Sequence, residues 1–181
     1  MSLIEQLRSQ GRLDSRGEFT LDASKAADKL GRFQLSDTSR FLLEILATCH
    51  QLDVRSLRLF TMTGRAPNEH ILQIVFEELV LGPQMPASLS EHLLIPTSPF
   101  QRLAVALNAL ESNGVRQLWT DEHKRQWDSL LSPTSPKEEV SQPISLELFA
   151  SDSRLFQTSL DLLQTPGLIY SDFPIHINGQ P

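Results

Sequence analysis

A chain of 181 residues that is 40% hydrophobic and 21% charged has the length and apolar content for one buried core. It falls outside the compositions of disordered, collagen-like and coiled-coil proteins. A formal charge of −6 at pH 7 excludes the basic footprint that sequence-independent binding to a phosphate backbone requires, and the densest basic cluster, His123-Lys124-Arg125, is flanked by Asp121, Glu122 and Asp128.

In chain order, Leu3, Ile4 and Leu7 predict a short opening helix that Gly11 ends, and residues 17–21 alternate like a brief strand. Asp22 suits the N-cap of an alanine-rich helix that Gly31 closes. After Ser36 and Asp37 a longer helix is predicted. Leu42, Ile45, Leu46, Cys49 and Leu52 recur there at three- and four-residue steps, which build one buried stripe. Residues 55–62 switch to period two, with Leu57 and Leu59 alternating against Arg58, the pattern of a half-buried strand that Gly64 and Pro67 stop. Pro67 then suits the first turn of another helix, with Ile71, Ile74, Val75 and Leu79 as its buried side through about Leu81.

Residues 82–97 hold three prolines and a weak pattern around Leu89, Leu93 and Leu94, and read as a surface loop with at most one short helix. Ser98-Pro99-Phe100-Gln101 has the capping-box order and opens a helix whose stripe is Phe100, Leu103, Ala104, Leu107 and Leu110. Asn113-Gly114 ends it before a hairpin running from Val115, Leu118 and Trp119 to Trp127 and Leu130. Residues 132–143, rich in proline and serine, read as a flexible linker within the domain. Ile144, Leu146 and Leu148 alternate as a strand, residues 151–164 read as a helix, and Phe173 to Ile177 form a closing strand before Asn178-Gly179. The expected fold is a single α+β domain over residues 1–181, a two-layer sandwich of a mixed β-sheet with helices packed on one face.

A lone cysteine cannot form an internal disulfide, and no Asn-x-Ser/Thr sequon is present. The first eleven residues carry Glu5 and Arg8 in place of the apolar core of a signal peptide. A cytoplasmic location is expected, with no membrane and no nucleic acid as partner. The histidines at 50, 70, 92, 123 and 176 show no metal-ligand spacing, and there is no nucleophile elbow, P-loop or dinucleotide fingerprint. Cys49 lies on an apolar stripe, which predicts an inert core thiol.

Three stretches resemble the histidine-kinase-like ATPase superfamily, which includes heat-shock chaperone ATPase domains, gyrase and mismatch-repair proteins. The first is Lys29-Leu30-Gly31-Arg32-Phe33-Gln34-Leu35-Ser36-Asp37, leading into a long helix. The second is Arg102-Leu103-Ala104-Val105-Ala106-Leu107-Asn108-Ala109. The third, Phe173-Pro174-Ile175-His176-Ile177-Asn178-Gly179, is similar to the superfamily's Phe-Pro-Ile-x-x-Asn-Gly strand, although alternating strands ending in Asn-Gly are common hairpin ends.

The resemblance implies an ATP site beginning at Glu-x-x-x-Asn-x-x-Asp on the first core helix, where the glutamate orients water and the asparagine ligates magnesium. The matching positions are Glu44, Thr48 and Gln51, so only the acid is kept; Arg40, four residues before Glu44, offers it a cation on the same helix face. The family's adenine-reading Asp-x-Gly-x-Gly corresponds to Met62-Thr63-Gly64-Arg65-Ala66, with Met62 at the carboxylate position, Thr63 beside it as the nearest polar side chain, and Gly64 keeping the turn. The glycine-rich phosphate loop would fall in residues 82–97, which contain only Gly82. These departures imply a non-catalytic interaction or regulatory module with a protein partner and no cofactor. The alternative is a nucleotide-binding domain or weak ATPase. It would take ATP and magnesium with Glu44 as base, Thr48, Gln51, Thr63 and Gly64 as contacts, and residues 82–97 as a lid.

Overall fold

The computed structural model describes residues 35, 37–79, 92, 93, 95, 97–120, 126–127, 143–166 and 171–179. The predicted opening helix, the strand at 17–21, the alanine-rich helix and the linker up to residue 142 lie outside the described residues.

Asp37 starts the first described helical segment. Its Oδ1 accepts hydrogen bonds from the Ser39 backbone N–H at 3.0 Å and the Ser39 hydroxyl at 2.6 Å. Those two donors hold the Asp37 carboxyl below the usual carboxylate range. A 3₁₀ turn, Thr38–Arg40, then leads into α1, Phe41–Gln51. Leu42, Ile45, Leu46 and Cys49 of the predicted stripe are buried, joined by Phe41, while Leu52 is half-buried. Asp53 ends the helix in the left-handed region at φ 51°, and the Val54 N–H returns to the Cys49 carbonyl at 3.1 Å.

The chain continues as β1, Ser56–Thr63, and turns back as β2, His70–Glu77, in antiparallel register from Ser56 opposite Glu77 to Thr63 opposite His70. Here the structure departs from the helix expected from Pro67 to about Leu81. Ile71, Ile74 and Val75 satisfy a helical spacing, but Leu72, Ile74 and Phe76 are buried at period two. The run is also rich in β-branched side chains, which favour a pleated surface. Pro67 therefore sits in the hairpin turn. Gly64 closes that turn, donating its N–H to the Glu69 carbonyl at 2.7 Å.

The next described helix, α2, spans Gln101–Ser112 and begins two residues beyond the Pro99 start that a capping box predicts. Ser98 Oγ instead accepts from the Phe100 N–H at 3.1 Å and bonds His92 Nδ1. Two described residues of the 82–97 stretch, His92 and Leu93, are buried, so that stretch is not wholly a surface excursion; the His92 ring lies 5.3 Å from Phe100.

The rest of the chain supplies β3, Arg116–Thr120; β4, Gln126–Trp127; β5, Ile144–Ala150; α3, Arg154–Gln164; and β6, Ile175–Ile177. The predicted hairpin is present, with Trp119 opposite Trp127. The six described strands form one sheet in the order β4-β3-β5-β2-β1-β6. Every neighbouring pair is antiparallel except β1 and β6, which are parallel. The closing strand is thus a short parallel edge rather than one arm of a hairpin. Asn178 and Gly179 follow it with φ 50° and 79°.

The described residues are accordingly α+β, a mixed sheet with the helices α1, α2 and α3 on one face. Leu57, Leu59, Leu72, Ile74, Ile144, Leu146 and Leu148 point from the strands into one cluster with α1, α2 and α3. Phe76 stacks on Trp119 at 6.0 Å, and Phe41 meets Phe156 edge-on at 6.3 Å. The alanines at 104, 106 and 109, fully buried, let α2 approach its neighbours closely. Each buried Leu or Phe in such a layer contributes about 1.5–3 kcal/mol relative to leaving it exposed.

Candidate functional site

α1 carries the three positions expected to begin a nucleotide site, and it presents them to three different environments. Glu44 is half-buried, and its Oε2 accepts from Arg102 Nη1 on α2 at 3.1 Å. The cation expected for it, Arg40, leans instead toward Asp37 at 3.8 Å. The Glu44–Arg102 pair is partly exposed on both sides and contributes no more than about 1 kcal/mol, but it records that the carboxylate points toward α2.

Thr48 is only 3% exposed, and its hydroxyl donates to the Glu44 backbone carbonyl at 3.0 Å. A threonine that bonds back to the preceding helical turn has turned its one polar group away from any ligand. Gln51 is exposed at the last residue of the helix.

Thr63 and Gly64 lie elsewhere. The helix runs into β1 through residues 52–55, so Thr48 and Gln51 sit toward the Ser56 end of that strand. Thr63 is at the other end, seven residues or roughly 23 Å along a strand that rises about 3.3 Å per residue. Thr63 is exposed there. Gly64 belongs to the turn, where an added Cβ would come within 2.2 Å of Glu69 Oε2 and 2.5 Å of its Cγ. Its lack of a side chain is explained by Glu69, and the turn leads to a second strand rather than to a helix.

Sequence reasoning missed Arg102, the partner of Glu44, because 58 residues separate the two. It also missed a charged cluster at the start of the β1–β2 ladder. Glu77 accepts from the Ser56 hydroxyl and pairs with Arg58 at 2.7 Å, while Arg55 pairs with Glu78 at 2.8 Å. Only the cross-strand register reveals these neighbours, and that register needs residues 70–77 to be recognised as a strand.

Two grooves are found among the described residues. One, of about 320 Å³, is lined by Cys49, His50, Asp53, Arg55 and Asp172 among others; His50 Nδ1 lies 3.4 Å from Asp172 Oδ2. The other, of about 220 Å³, lies between Thr38, Asn113, Gly114 and Asp152. None of Glu44, Thr48, Gln51, Thr63 and Gly64 lines either groove. Burial pushes the Cys49 thiol up to about 12, which leaves almost no thiolate at neutral pH. Among the described residues no three His, Cys, Asp or Glu side chains gather closely enough to hold a metal ion. No helix among them is long and apolar enough to cross a membrane.

No family model matches this chain, and no curated protein matches it significantly.

Proposed function

We propose that the chain is a non-catalytic interaction or regulatory module, a degenerate member of the histidine-kinase-like ATPase superfamily that works through a protein partner in the cytoplasm. The resemblance rests on three phrases of the sequence; of these, Leu35 and Asp37 precede α1, residues 102–109 lie within α2, and residues 173–179 contain β6. One observation supports the loss of chemistry more than any other, the inward turn of Thr48. A magnesium ion needs oxygen donors it can reach. At the position where an amide would serve, this protein has a buried hydroxyl committed to its own helix. Glu44 keeps the charge of a water-orienting base but directs it at Arg102. The acidic balance of −6 favours a protein partner over a polyanion.

A melting screen with ATP, ADP and GTP, each with magnesium, tests the proposal. A ligand at about 100 times its dissociation constant adds roughly 2.7 kcal/mol and raises the melting temperature by several degrees. The expected result is no shift with any of the three. A shift that disappears in the double variant Glu44→Gln, Thr63→Val would establish the nucleotide-binding alternative.

A further inference from the structure

We draw no further inference here: the strongest candidate, the sheet face opposite the helices, where Phe60, Met62, Ile71, Leu118 and Phe149 lie across four strands, carries nothing because nothing in the structure shows what covers it.

Discussion

Cys49 and Gly64 show how far a single residue's surroundings decide its behaviour. The folded Cys49 thiol holds its proton to about 12, whereas an unfolded thiol releases it near 8.5. A group whose folded pKa is raised contributes its full stability below the unfolded value and loses it as the pH climbs toward the folded one. Wild type should therefore lose more stability than Cys49→Ala between pH 7 and pH 10, as read from urea midpoints at both pH values; equal losses would mean the thiol is not buried as described. Gly64 faces a different constraint, since its backbone is not left-handed and the obstacle to a side chain is steric. Gly64→Ala should cost at most about 1 kcal/mol, below the overpacking range of a core, because the Glu69 side chain it would strike is flexible and half-exposed. Adding Glu69→Ala should recover most of that loss, because it removes the atoms a Cβ would strike. Additive effects of the two changes in denaturant titrations would remove Glu69 as the cause.

At the scale of elements, α1, β1, α2 and β5 were legible because each carries one clear hydrophobic period, and the β3–β4 hairpin was legible from the Asn113-Gly114 break and its two tryptophans. β2 was not. The apolar residues at 71, 74 and 75 in the strand and 79 beyond it fit a helical face, and the proline before them imitated a helix start, so local pattern favoured the wrong element. What overrode it was non-local: β1 pairs with His70–Glu77 on one side and β5 with residues 70–76 on the other, a ladder of backbone partners that no helix could use. The candidate site suffered from the same error. Met62 to Ala66 fits a strand-to-helix turn only where a helix follows, and a strand follows instead; β1 itself sets Thr63 apart from Thr48 along its length. β6 was legible as a strand but not as the parallel neighbour of β1. Asn178 extends that pairing, since its N–H donates to the Leu59 carbonyl at 2.8 Å and its Oδ1 accepts from the Thr61 N–H at 3.0 Å. Asn178→Gly keeps the positive φ and removes only the side-chain contact, so it should cost about 1 kcal/mol. Asn178→Ala should cost more, because a left-handed backbone penalises a Cβ. Amide exchange at Thr61 should accelerate in both variants; unchanged exchange there would separate Asn178 from the edge. Between α1 and α2, a double-mutant cycle on Glu44 and Arg102 should return a coupling of no more than about 1 kcal/mol, diminished by salt. A much larger value would make this pair a structural lock.

For the molecule as a whole, the α+β class followed from the alternation of periods along the chain, and the mixed sheet with helices on one face carries it out. The order β4-β3-β5-β2-β1-β6 could not be read from sequence, because it depends on which strands meet after long excursions, such as β5 between β2 and β3. The functional reading turns on whether the helix that opens this layer still grips a nucleotide. Titration calorimetry of the intact chain with ATP at millimolar magnesium, run beside Glu44→Gln, addresses that question most directly. With Thr48 buried and Glu44 directed at Arg102, neither protein should give a saturable heat. Stoichiometric binding by the wild type that Glu44→Gln abolishes would contradict the account.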